Sequence, residues 1–197
     1  NNYVMVSVST RKLQRDLQLA LRPRQVPRVG TELKVGLARE KAISSAFHTL
    51  FGSVHAAGSN KELQARNTLL LSTFIGIHGS QRAVREAQRV IEKPTLLSFK
   101  GEGFSPLHAR KAVIRVFGSL RNPQFIDFMV EHDLEQRGLE HRDSALRVIT
   151  IQALKEMGHM ANPSLSTLRL YATLEREANT FVRQMAHDAV KFIVKDL

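Results

Sequence analysis

Apolar residues recur along this chain at spacings of three and four, the spacing that lines one face of an α-helix. The pattern runs from about Leu33 to the end, broken by clear punctuation. Residues 33–52 predict an amphipathic helix with Leu37, Ala42, Ala46, Phe47 and Leu50 inward. Residues 62–78 predict a second helix, whose run TLLLSTFIGI reads as buried. In 80–92, Val84, Ala87 and Ile91 share a face, Ser80 stands ready to cap, and Pro94 ends the helix. Residues 95–104, with Gly101 and Gly103, read as a loop. Ser105-Pro106 sets a capping residue before a proline at the first helical position. The helix it opens, 106–120, aligns Ala109, Val113, Val116, Phe117 and Leu120. Asn122-Pro123 repeats that signal before a short apolar helix. Asp143 or Ser144 caps a further helix with Leu146, Ile149, Ala153 and Met157 on one face. Asn162-Pro163 opens its partner, and a last helix covers about 178–195 with Val182, Ala186, Ala189 and Ile193 inward.

The first thirty residues differ. Residues 3–8 (YVMVSV) predict a strand or an extended lead-in, and 9–21 predict a helix carrying Leu13, Leu17 and Leu21. Pro23, Pro27 and Gly30 then mark a basic linker. The chain divides into a basic N-terminal segment, 1–32, and a helical domain, 33–197.

Within the helical domain the punctuation is periodic. The two Asn-Pro steps lie 40 residues apart. RKAVIRVFGSL (110–120), RVITIQALKEM (147–157) and RQMAHDAVKFI (183–193) superpose, each opening on an arginine: Arg110, Arg147 and Arg183. Segments 66–76 and 38–51 fit the same frame more loosely. Two helices per unit of about 40 residues is the mark of a helical solenoid, because one helix pair cannot bury its own apolar face. Ala112, Ala153, Ala186 and Ala189 allow close approach between units.

On these residues the chain resembles the HEAT-repeat, armadillo-like superfamily over roughly 33–197. The resemblance implies an all-α fold, an α-α superhelix of helix pairs behind a short extended or partly ordered N-terminal segment. It also implies that Arg110, Arg147 and Arg183 bridge neighbouring repeats. Residues 162–182 resemble, in fragment, the helical superhelix of vitellogenin-type lipid-transfer proteins. Some HEAT-like proteins are DNA glycosylases that handle a base with tryptophans and an aspartate. This chain has no Trp, which counts against that use.

Composition narrows the chemistry. The 197 residues hold no Cys, so disulfides, thiolate metal sites and cysteine nucleophiles are excluded. The eight histidines show no metal-ligand spacing such as H-E-x-x-H. His187 falls at an inward repeat position, as a packed core histidine would, and Glu131-His132-Asp133 reads as solvated surface. Gly101-Glu102-Gly103 lacks the Lys-Ser/Thr of a phosphate loop, and there is no G-x-S-x-G elbow. No catalytic residue, metal site or cofactor is expected. The longest apolar stretch is far short of the roughly 20 residues that span a bilayer.

Charge is the remaining signal. The net charge is +11, and residues 1–102 carry sixteen Lys and Arg against seven Asp and Glu. Arg11, Lys12, Arg15, Arg22, Arg24 and Arg28 cluster near the start, and Arg82, Arg85 and Arg89 recur at helical spacing. Such a row suits phosphate oxygens, without the interleaved aromatics of single-strand readers. The leading expectation is a non-enzymatic protein-binding scaffold. The alternatives are a nucleic-acid or ribonucleoprotein component acting through those nine basic residues, and a lipid-carrying helical module. A start at Asn1 without Met and a helical end at Leu197 suggest a piece of a larger chain, from a compartment that the sequence leaves open with the cytoplasm ahead.

Overall fold

The computed structural model describes residues 32–58, 60–97, 105–130 and 138–195, together with one helical position at Gln18. The remainder of the N-terminal segment, with its predicted strand, helix, linker and six basic residues Arg11 to Arg28, lies outside the described residues, as do Gly101–Gly103 and Glu131–Asp133. Among the described residues the protein is all-α and contains no strand. In order, the helices are α1 (Glu32–Ala56), α2 (Lys61–His78), α3 (Ser80–Glu92), α4 (Pro106–Leu120), α5 (Ile126–Val130), α6 (Ser144–Met157), α7 (Leu165–Tyr171) and α8 (Thr180–Lys195). Short 3-10 turns at Pro94–Leu97, Pro123–Phe125, Gly138–Glu140 and Gly158–Ser164 join them.

The helix starts follow local chemistry. Side chains of Asn60, Ser105, Asp143 and Asn179 accept from the backbone N–H groups of Leu63, His108, Leu146 and Val182, satisfying donors that a first turn leaves unpaired. Ser80 does not cap α3. Gly79 takes that place, and the hydroxyl sits inside the first turn. Asn162-Pro163 does not open a helix either, because Pro163 lies within the 3-10 turn that leads from α6 into α7.

The three helices that superpose in sequence lie side by side, with α6 packed between α4 and α8. α1 packs on α2, α3 and α4, and α7 packs on α8. One apolar core joins all of these through Phe47, Phe51, Phe117, Phe125, Leu146 and Leu154. Phe117 and Phe125 stack with ring centres 4.1 Å apart. Leu37 is not inward, being 57% exposed. Nor is α2 a buried helix. Leu71, Phe74 and Ile75 are covered, while Leu63, Leu69, Leu70 and Ile77 face solvent.

α4 and α6 approach closely at Gly118. A Cβ on Gly118 would fall 2.7 Å from the Cβ of Ala153. Gly118→Ala therefore forces the two helices apart, at an expected cost of about 1–3 kcal/mol typical of overpacking. Urea denaturation measures it, and Gly118→Ala combined with Ala153→Gly should recover part of the loss.

Candidate functional site

Two arrangements of polar side chains stand out, and the first belongs to the repeat. Arg147 Nη1 donates to the carbonyls of His141 and Arg142, six and five residues back, at 2.8 and 3.0 Å. Arg183 Nη1 donates to Glu177 and Ala178, again six and five residues back, both at 2.8 Å. The residue six back is equivalent in both units in its own side chain too. His141 Nδ1 accepts from Asp143 N, and Glu177 Oε1 accepts from Asn179 N. Arg147 also crosses to the next unit, where Nε and Nη2 donate to the Glu177 carboxylate at 2.6 and 3.0 Å. Glu177 is only 4% exposed, so this pair ties α6 to the loop ahead of α8 in a largely dry setting. Arg183 has no carboxylate in the corresponding place among the described residues. Arg110 lies near enough to His141 to act on its charge, which keeps the order of the series. A double-mutant cycle on Arg147→Met and Glu177→Gln should return a coupling of at least about 1.5 kcal/mol, the range for hydrogen bonds between charged groups.

The second arrangement lies between α1 and α3. The Glu86 side chain is fully buried and takes four partners. Ser44 Oγ donates to Oε1 at 2.9 Å, His48 Nε2 to Oε2 at 3.0 Å, and Arg89 Nη1 to Oε1 at 3.0 Å. Arg82 Nε lies 2.9 Å from Oε1 as an ion pair, and its Nη1 reaches Glu40 at 2.7 Å. Burial pushes the Glu86 carboxyl up. The bonds from His48 and Ser44 and the charges of Arg89 and Arg82 outweigh it and hold the group at about 2. A carboxylate only accepts, so His48 Nε2 carries the proton in this bond. Serine and imidazole both point at the carboxylate and not at each other, so nothing here activates Ser44 as a nucleophile.

Above this cluster opens a cleft of about 570 Å³, lined by Lys41, Ser44, His48, Thr49, Arg82 and Arg89 among others. The predicted row of Arg82, Arg85 and Arg89 is thus divided. Arg82 and Arg89 turn to Glu86 and α1, while Arg85 lines a neighbouring groove with Val84, Asn122 and Asp127, which Arg82 also borders. Sequence reasoning missed Glu86, although a signal existed. Arg82, Glu86 and Arg89 stand at i, i+4 and i+7, and Ser44 and His48 at i and i+4, so each set shares a helix face. His187 corrects another expectation, since its side chain is 53% exposed beside Asp188.

Three histidines titrate below their ordinary 6.5. Burial lowers His55, His78 and His141, aided by Arg115 at the first, Arg39 and Arg82 at the second, and Arg110, Arg142 and Lys111 at the third. A lowered folded value means that the unfolded chain binds protons first as pH falls. Stability from these groups is complete above about 6.5 and is lost as pH drops through their folded values. The urea midpoint should fall between about pH 7.5 and about pH 5.5, and the triple variant His55→Gln/His78→Gln/His141→Gln should flatten that drop.

Among the described residues no group of three His, Asp or Glu could hold a metal ion. Among the described residues no helix is long and apolar enough to cross a membrane. Compared with family models, curated proteins and solved structures, the chain matches none.

Proposed function

We propose that this protein is a HEAT-like helical-repeat scaffold that binds another protein at the side of the stack formed by α7 and α8. One observation carries the reading. The outer unit exposes Leu170, Leu174, Phe181, Phe192 and Val194, and Arg183 there makes the backbone bonds of Arg147 without the carboxylate that Arg147 holds. Apolar surface beside an unneutralised guanidinium is the composition of an interface rather than of a solvated face. The packing order α4, α6, α8 supports the repeat, because each aligned helix covers the next. An α-α superhelix is the arrangement this order favours.

The nucleic-acid reading ranks second. Its arginines that the structure describes do not form one row, because Arg82 and Arg89 turn to Glu86 between α1 and α3 while Arg85 lines the neighbouring groove. Neither the cleft nor the groove described above has the apolar lining of a lipid carrier, so neither supports the third.

The test is affinity capture followed by mass spectrometry with two baits, the native chain and Leu174→Ser/Phe181→Ser. Both substituted residues are exposed, so folding is preserved. A partner retained by the first and lost by the second supports the reading. Identical recoveries from both, or recovery of nucleic acid alone, would sink it.

A further inference from the structure

We propose that the cleft between α1 and α3 is an oxyanion site that takes a phosphate monoester. The floor is built and fixed. Glu86, fully buried, holds Arg82 and Arg89 by ion pairs and His48 by a hydrogen bond. Arg82 is further anchored to Glu40 and, through Nη2, to Ser44 at 3.2 Å. Side chains clamped in this way present their remaining donors without the entropy loss that free arginines suffer on binding.

Donors remain. Arg89 uses only Nη1, toward Glu86 and Ser44, and among the described residues its Nε and Nη2 meet no acceptor. Arg89 is 57% exposed at its side chain, so these groups reach the cleft mouth. Lys41 stands on the α1 wall with no ion pair among the described residues, and Thr49 and Thr95 add hydroxyls. Lys41, Arg82 and Arg89 face Glu40 and Glu86, which leaves the site positive before any ligand arrives. A phosphate group is attracted by that excess of positive charge and offers acceptors to guanidinium, ammonium and hydroxyl alike. The cleft volume of about 570 Å³ exceeds a bare phosphate, and Leu37 and Leu96 form an apolar edge. Those two features favour an ester with a short organic part over the free ion. Arg85 does not line this cleft but the neighbouring groove, which shares Arg82 with it, and so controls for a general effect of removing charge.

The experiment is an amide-resolved NMR titration at constant ionic strength with three probes: inorganic phosphate, O-phosphoserine and unphosphorylated serine. The expected result is saturable shifts confined to residues near 41–49, 82–89 and 95–97, tighter for O-phosphoserine than for inorganic phosphate, and absent with serine. Lys41→Gln/Arg89→Gln should weaken binding about tenfold or more, as loss of two charge-assisted contacts does, while Arg85→Gln leaves it unchanged. Equal weakening by Arg85→Gln, or shifts that grow linearly over the whole basic surface, would overturn the site. Binding of inorganic phosphate as tight as that of O-phosphoserine would overturn the ester and leave an ion site only. None of these outcomes depends on the α7–α8 surface.

Discussion

Gly138→Ala should be among the most damaging single substitutions in this protein, with an expected loss on the order of 4 kcal/mol. A left-handed non-glycine residue costs about 1–2 kcal/mol, and forced overpacking about 1–3 more. Both apply here. Gly138 has φ +57°, and an added Cβ would lie 1.9 Å from the carbonyl oxygen of Met129 and 3.1 Å from Thr150 Cγ2. The nearest obstacle is backbone, so no rotamer change relieves it. Either the end of α5 or the Gly138–Glu140 turn must move. The turn holds Leu139, which is fully buried, and Glu140, which pairs with Arg176. It also leads into His141 and Asp143, the receptor and cap at the start of α6. Displacement therefore spreads from one Cβ to the start of α6. Urea denaturation measures the effect, and a midpoint within a few tenths of a molar of the native protein would contradict it.

Helix limits were legible because they are set locally. Ser105, Asn122 and Asp143 cap where their side chains can reach the next turn, and Pro94 stops α3 because the residue before a proline leaves helical geometry. Ser80 misled because a glycine with φ 88°, Gly79, turned the chain sharply enough to take the cap position itself. The arginine spacing was legible, and Arg147 and Arg183 share a pair of backbone bonds, to the carbonyls six and five residues back, although only Arg147 adds a carboxylate. The exposure of Leu69 and Ile77 was not legible, because an apolar run reports affinity for a neighbour and not whether a neighbour is there. The same limit hid the cleft. Charge count made Arg82 and Arg89 look like free cations, whereas a carboxylate three or four residues away, turned inward by the helix period, ties both down. Solvent-facing and buried ion pairs look alike in sequence until the opposing helix, here α1 with Ser44 and His48, is in place.

That carboxylate sets the second large expectation. Glu86→Ala should cost about 3–5 kcal/mol, the usual consequence of removing one member of a buried ionic cluster. The loss comes less from the missing attraction than from what is stranded. His48, at 11% side-chain exposure, would keep its desolvation without a partner, and Arg82, at 19%, would be left with the exposed Glu40 and the Ser44 hydroxyl. Glu86→Gln keeps the volume but loses the charge, and its amide offers one acceptor and one donor group in place of two acceptors, so it should fall between the native protein and the alanine variant. Acid titration separates this cluster from the histidines. The Glu86 carboxyl lies at about 2 in the fold against an ordinary 4.5, so the unfolded chain takes up its proton first. Its contribution is complete above about pH 4.5 and disappears as pH falls toward 2, a difference worth roughly 3 kcal/mol. The histidine limb lies higher, beginning near 6.5. The native protein should thus lose stability in two stages on acidification. Glu86→Gln should erase the lower stage and spare the upper one, and the triple histidine variant should do the reverse. If both variants flattened the same stage, the two groups would be titrating as one network, and the assignment of the acid limb to Glu86 would fail.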